Sequence, residues 1–262
     1  LVESYDWTSV AATNMDSKIQ KYTPFKLEAD LSSLTENQKK MIPVLIEAAD
    51  LMNELFWYEA YGSKSELMAS LPDENTKVFA NINYGPWDRL DGNKPFVNGV
   101  MEKAAGSNYY PKDMSKEEFE ESTLADKSSL YTFIRRDKNG ELISIPYHIQ
   151  FTSQVARVSE LLQEAAGLAE DAGLKNYLFL RSKAMLNDNY QPSDFAWLDM
   201  KTNPIDIVIG PIETYEDQLF GYKAAHEAYV LIKDMAWSQQ LEKYAAFLPD
   251  LQQGLPVPDA YK

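Results

Sequence analysis

Glu213 and Tyr215 are the residues of this 262-residue chain best placed to do chemistry. They follow an apolar run, Asp206-Ile207-Val208-Ile209, that ends in Gly210-Pro211. The run reads as a buried strand and the Gly-Pro as its break, with Glu213-Thr214-Tyr215 extended at the exit. Alternate residues of a strand point the same way, so a carboxylate and a phenol would stand about 7 Å apart on one face. The carboxylate could hold a cation. The phenol, with an ordinary pKa of about 10, would stay protonated at neutral pH and donate to an oxygen gaining negative charge. The plain alternatives are a solvated strand glutamate and one more packed ring among sixteen tyrosines.

Other constellations are weaker. His226-Glu227 looks like the opening of a zinc-peptidase helix, but that motif needs a second imidazole one turn later. Val230 and Leu231 occupy the relevant positions, and His148 is the only other histidine. His226 therefore reads as a strand side chain and His148 as a loop residue, with no metal ligand in the chain. Glu216 and Asp217 together with Glu213 offer the carboxylate pairing of a glycosidase, which any acidic protein supplies by chance. Asp88, Asp91 and Asn93 around Gly92 lack calcium-loop spacing and read as a turn. There is no Gly-x-Gly-x-x-Gly, no Walker loop and no Gly-x-Ser-x-Gly.

The elements that must hold these residues are mainly helical. Thr35-Glu36-Asn37-Gln38 is a capping box, and Met41, Leu45, Ala48, Met52 and Leu55 recur behind it at helical spacing. A helix is expected from about 35 to 60, closed near Gly62, with Pro43 pointing to a slightly later start. Residues 81–110 read as ordered loop, and Ser115 to Glu118 as a second capping box. Strands over 130–134 and 142–145 flank Asn139-Gly140, which suits a tight type I′ hairpin. Helices are expected at about 153–171, 174–186, 194–200 and 238–248. Residues 228–232 read as a partner strand for the Ile207 run.

Composition narrows the partners. A net charge of −15 and a pI of about 4.6 argue against nucleic acid and against anionic lipid, both of which need a basic surface. An acidic cleft suits cationic ligands, including a peptide's amino terminus, although acidic surfaces also simply keep proteins soluble. The absence of cysteine excludes disulfides, thiol catalysis and cysteine-zinc sites. No apolar run approaches the roughly 18 residues of a membrane span. The start at Leu1 tilts the expectation towards an exported, periplasmic protein after removal of a targeting segment, with the cytoplasm as the alternative.

The run from Asp206 to Asp217, with Gln218-Leu219-Phe220-Gly221-Tyr222-Lys223-Ala224-Ala225-His226-Glu227-Ala228-Tyr229-Val230 after it, resembles the dipeptidyl peptidase III family of zinc exopeptidases. In that family a Gly-x-Ile-Glu-x-Tyr strand lines the substrate cleft. Segments 81–90, 110–119 and 196–203 are similar to the family's bacterial branch, and the likeness runs from about Tyr22 onward. The resemblance implies an α+β, helix-rich fold with a small, mainly antiparallel sheet or partial barrel, the non-zinc lobe of a two-lobed peptidase. It implies that Glu213 binds the free ammonium of the substrate and that Tyr215 stabilises the oxyanion. The family's zinc ligands lie downstream of this strand, and its His-Glu-x-x-x-His motif is lacking here. The expectation is thus an N-terminal part of a larger peptidase, with an arm over residues 1–30 and a substrate-side domain over 31–262. A C-terminal zinc-bearing part of the same protein would complete it. The full-length protein would carry zinc and release dipeptides from the N-termini of short peptides. This chain alone would bind no zinc and be inactive. The alternatives are a non-catalytic peptide-binding or interaction module, and a structural surface protein that uses only its helices.

Overall fold

The computed structural model describes residues 15–262, so the first half of the expected N-terminal arm lies outside the described residues. From Met15 the chain is already tied down. Met15 is buried, the Lys18 ammonium lies 2.6 Å from Asp88, and Asn75 donates to Asp16 at 2.7 Å. Residues 23–33 then cross the surface, exposed throughout.

Helix α1, Glu36–Ala60, is the axis of the fold. Its capping box forms as the sequence indicates: the Gln38 amide donates to the Thr35 hydroxyl at 3.2 Å, and the Thr35 amide to the Gln38 side chain at 3.0 Å. Pro43 does not delay the start and sits inside the helix. It lies on the exposed face, where water can take the carbonyl that the missing N–H leaves free. The buried stripe Met41, Leu45, Ala48, Met52, Leu55 ends in Glu59.

Two helices that sequence periodicity does not announce follow: α2, Lys64–Ser70, and α3, Glu74–Asn83, capped by Ser63 and Asp73. The segment read as loop from Asn81 thus begins as the end of a helix. It also contains a two-residue ladder, β1 (Trp87–Asp88) with β2 (Lys94–Pro95). Helix α4, Lys116–Glu121, has the Ser115 cap, but the Glu118 carboxylate turns to Arg136 at 2.7 Å. Strands β3, Thr132–Arg136, and β4, Leu142–Pro146, pair antiparallel. Their connection is longer than a type I′ turn. The Asp137 carboxylate accepts from the amides of Asn139 and Glu141 at 2.8 and 2.9 Å, and of the Asn-Gly pair only Gly140 has positive φ, 86°.

The short α5, Tyr147–Gln150, carries His148, which is therefore helical and not in a loop. Helices α6 (Thr152–Leu168), α7 (Ala172–Ala184) and α8 (Gln191–Asp199) then stack in succession. The long strands β5, Ile205–Glu213, and β6, Ala225–Ile232, pair antiparallel. Helices α9 (Met235–Ala245) and α10 (Leu248–Gln253) and a 3-10 turn, Asp259–Tyr261, complete the described chain. One face of α1 packs on α6 and another on β6, so the main core lies between the helices and the β5–β6 hairpin. Helix accounts for 47% of the residues and each sheet is a two-stranded antiparallel pair. The helix-rich α+β class is borne out, and no barrel closes among the described residues.

Candidate functional site

Strand β5 buries Ile205, Ile207 and Ile209 against the core, as its apolar run requires. Across the pair, Ile209 faces Ala228, Gly210 faces Glu227 and Val208 faces Tyr229. Cross-strand partners share a face, so Glu227 and Tyr229 belong to the outer side of the hairpin. The pattern changes at Gly210, whose φ of 124° suits only glycine; a Cβ there would lie 3.3 Å from Met185 and Tyr190 side-chain carbons. Between Pro211 and Glu213 the register slips by one residue, and Glu213 pairs with Ala225. Without that bulge Glu213 would share the inward face of Ile207 and Ile209. With it, Glu213 joins Glu227 and Tyr229 on the outside.

Glu213 is exposed, and its side chain makes no hydrogen bond or ion pair among the described residues. The strand ends there. Tyr215 lies in the following turn, closed by the Asp217 amide on the Thr214 carbonyl at 3.2 Å, so strand spacing does not set its distance from Glu213. Its ring is 80% exposed. The Tyr229 hydroxyl donates to Glu227 at 2.9 Å. That bond and the Glu227 charge, joined by burial and the nearby Glu213 charge, hold the Tyr229 phenol above its ordinary pKa. Beside this face a hollow of about 280 Å³ opens between α1 and β6, lined by Asn53, Phe56, Tyr84, Glu227 and Tyr229.

The two carboxylates after Tyr215 are fully engaged. Arg89 donates to Glu216 at 2.8 and 3.3 Å, the Lys103 ammonium lies 2.5 Å away, and the Ser107 hydroxyl donates at 2.8 Å. Burial opposes the Glu216 charge, but the Arg89 hydrogen bonds and the Lys103 charge outweigh it and hold the carboxyl below its ordinary range. Lys103 is itself pushed down, because burial costs it more than Glu216 returns. Asp217 accepts from the Tyr110 hydroxyl at 2.7 Å and from the amides of Leu219, Phe220, Tyr222 and Lys223. Lys223 is wholly buried and donates to the Lys127 and Ser129 carbonyls and the Thr132 hydroxyl, and burial lowers its pKa to about 8. No carboxylate pair of glycosidase type is free here: Glu216 and Asp217 are anchors. Between them and the bulge, Glu213 and Tyr215 are left turned outward on a turn held from both sides.

Both histidines are occupied as well. His226 lies on the inward face of β6, with Nδ1 2.6 Å from a Glu59 carboxylate oxygen and its amide donating to the other at 2.8 Å. Both side chains are sealed from solvent, and burial raises the Glu59 pKa despite His226 beside it. His148 Nδ1 lies 2.7 Å from Asp188. Among the described residues no group of three or more His, Asp or Glu is arranged to hold a metal. The residues around Gly92 form a turn: Asp88 binds Lys18, Asp91 pairs with Lys94 at 2.9 Å, and Asn93 has a φ of 58°. Sequence reasoning missed Glu59, Lys103, Ser107 and Lys223. Only Glu59 left a signal, a carboxylate on the apolar stripe of α1.

The site thus belongs to a helix-rich α+β lobe that presents an acidic and phenolic strand end on its surface. Comparison with known proteins gives that lobe its relatives. The chain is similar to DPP III from Caldithrix abyssi, at 38% identity and a TM-score of 0.85, over 94% of this chain and 49% of that one. It is likewise similar to dipeptidyl-peptidase III from Corallococcus sp. strain EGB, at 30% identity and a TM-score of 0.86, over 95% of this chain and 49% of that one. A curated relative, Nudix hydrolase 3 of Arabidopsis thaliana, is 30% identical in an alignment 318 positions long that covers 97% of this chain and 41% of that protein. No family model matches. The chain spans about half the length of the peptidase structures and less than half of the curated relative. The resemblance read around Glu213 and Tyr215 is therefore shown in sequence and fold together: this chain is similar, along nearly all its length, to part of dipeptidyl peptidase III. No described helix is long and apolar enough to cross a membrane.

Proposed function

We propose that this chain is the substrate-binding N-terminal part of a zinc-dependent exopeptidase that releases dipeptides from the N-termini of short peptides. Residues 31–262 form its substrate-side lobe and residues 1–30 an arm. The observation that carries the reading is a coincidence of two facts. The chain is a close structural match to DPP III, and its Glu213 and Tyr215 stand exposed at the exit of β5 while both acidic neighbours on the turn, Glu216 and Asp217, are engaged.

In this reading Glu213 receives the ammonium of the peptide. The outward turn given by the bulge, and the lack of a competing partner among the described residues, leave its carboxylate free for a charge-assisted hydrogen bond of about 1.5–3 kcal/mol. Glu227 adds negative potential on the same face. Tyr215 donates its hydroxyl hydrogen to the carbonyl oxygen of the peptide as that oxygen gains charge. The turn anchored by Glu216 and Asp217 fixes where that donor sits. The zinc belongs, in this proposal, to residues outside the chain, because His226 and His148 are already held by Glu59 and Asp188.

The test is Tyr215→Phe in the complete gene product, assayed on a dipeptidyl substrate. A fall in kcat of about 10²–10³-fold is expected, the size typical of a lost oxyanion donor. An unchanged kcat removes the role. A complete gene product that binds free-amine peptides but cleaves none favours the non-catalytic peptide-binding module.

A further inference from the structure

The bulge that turns Glu213 outward lies on β5, opposite a stretch of β6 that is held from outside the hairpin. Strand β6 pairs with β5 alone, and helix α1 packs against it. Alternate amides of a strand point to the same edge. Here two alternate amides are taken by groups that do not belong to β5. The Ala224 amide, just before the strand, donates to the Leu130 carbonyl at 3.0 Å, and the His226 amide donates to Glu59 Oε2 at 2.8 Å. Ala225, the residue that Glu213 pairs with, sits between them. Up to Pro211, which faces His226, the register is regular. Continued without a slip, it would bring Glu213 opposite the buried Ala224 and turn it inward. The extra residue falls on β5 instead, between Pro211 and Glu213.

Glu59 is an unusual residue for its place. It is 0% exposed and last but one in α1, so both burial and the negative end of the helix dipole oppose its charge. The stripe that it continues is apolar. What the carboxylate supplies is two acceptors at once: Oε2 takes the His226 amide, and Oε1 lies 2.6 Å from His226 Nδ1. Neither partner has room to drift. The Tyr147 and Phe151 rings pack on the imidazole at 5.3 and 5.6 Å, and the Asn108 amide donates to the Glu59 carbonyl at 2.9 Å.

We propose that Glu59 is a positioning residue for Glu213: by holding the amide and the imidazole of His226 it clamps β6, forces the one-residue slip onto β5, and so sets the direction of the carboxylate that meets the peptide amine. A buried polar pair that must be satisfied selects one register over another of similar packing. The part played by the amine rests on the peptidase reading; the clamp does not.

The chain has no cysteine, so a single introduced thiol reports on one position. Glu213→Cys is prepared in the 262-residue chain alone and together with Glu59→Leu, and alkylation by iodoacetamide is timed in the folded state. With the clamp in place the thiol faces out and should react within about 10-fold of the rate in the unfolded chain. With Glu59→Leu it should turn inward and react at least about 10-fold more slowly. Glu59→Gln is the conservative variant. Its carbonyl oxygen can take the amide and its NH2 can donate to Nδ1, once the imidazole proton moves to Nε2, a nitrogen with no partner among the described residues. Its thiol should therefore stay within about 3-fold of the rate with Glu59. An unchanged or faster rate with Glu59→Leu overturns the proposal, as does an equal fall with Glu59→Gln. If Glu59→Leu does not fold, Glu59→Asp decides, being charged but one methylene short: a fall of at least about 3-fold supports the clamp and an unchanged rate overturns it. Peptide binding is measured separately with Glu213 restored. The preference for a free-amine tetrapeptide over its acetylated form should vanish with Glu59→Leu and persist with Glu59→Gln. A chain with native Glu59 that shows no such preference fails the peptidase reading, and the thiol rates still decide whether Glu59 sets the direction at position 213.

Discussion

Removing the Glu216 charge should unlock the turn that carries Tyr215, and the cost can be worked from the contacts. Glu216→Gln keeps one carbonyl oxygen and loses the negative charge that faces Arg89, Lys103 and Ser107. The Lys103 side chain is only 8% exposed and has no other anion to turn to among its described hydrogen bonds. Breaking a buried pair by removing one partner costs about 3–5 kcal/mol, chiefly through the charge left behind. Arg89 is more open and also lies over the Phe56 and Tyr84 rings, so it can relax towards water, which points to the lower end. A loss of about 3 kcal/mol corresponds to a fall in Tm of roughly 6–10 °C for a protein of this size. Thermal and urea unfolding of wild type and variant measure it. The double variant Glu216→Gln with Lys103→Met should recover about 1–3 kcal/mol of the loss, since the stranded ammonium is gone. The pH dependence has a defined sign. The folded pKa of Glu216 is depressed, so its contribution is complete above the unfolded carboxylate value and is lost as pH falls through the folded one. The gap between wild type and Glu216→Gln should therefore narrow below about pH 4. A fall of less than about 1 kcal/mol at pH 7, or no recovery in the double variant, refutes the reasoning.

Two further outcomes follow from the same geometry. Lys223 has a folded pKa of about 8 against an unfolded value of about 10.4, so the unfolded chain holds a proton that the folded one has released between those values. Stability of wild type relative to Lys223→Met should rise by about 2 kcal/mol from pH 7.5 to 9.5, measured by urea unfolding at each pH, and a flat difference contradicts it. Gly210→Ala should cost about 1–3 kcal/mol and disturb the bulge, because φ is 124° and the new Cβ meets Met185 and Tyr190; an unchanged unfolding midpoint sinks the role given to this glycine.

The long elements were legible because each depends on local pattern. The Thr35 cap and the apolar series behind it announce α1, and the Ile207 run announces β5, although the strand continues through the expected Gly-Pro break to Glu213. The short α2 and α3 were not legible, since two or three turns of helix leave little period to detect, and both start at side-chain caps, Ser63 and Asp73. At Asn139-Gly140 the dipeptide suggested a two-residue turn, but the carboxylate of Asp137 captured the loop amides and lengthened it. The exposed chemistry of Glu213 was legible as residue type, while its direction was not: alternation along β5 places it inward, and only the one-residue slip turns it out. The lock beneath Tyr215 was hidden for a different reason. Arg89, Lys103 and Ser107 reach Glu216 from more than a hundred residues away, a pairing that no local spacing encodes.

The central claim is that Glu213 measures the free amino end of a peptide, and calorimetry tests it most directly. A tetrapeptide and its N-acetylated form are titrated into the wild-type protein and into Glu213→Gln. The account predicts that acetylation weakens binding to wild type by about 10-fold or more, and has little effect on the variant, which should unfold at the same temperature as wild type. Equal affinity of the wild-type protein for the free and the acetylated peptide contradicts it.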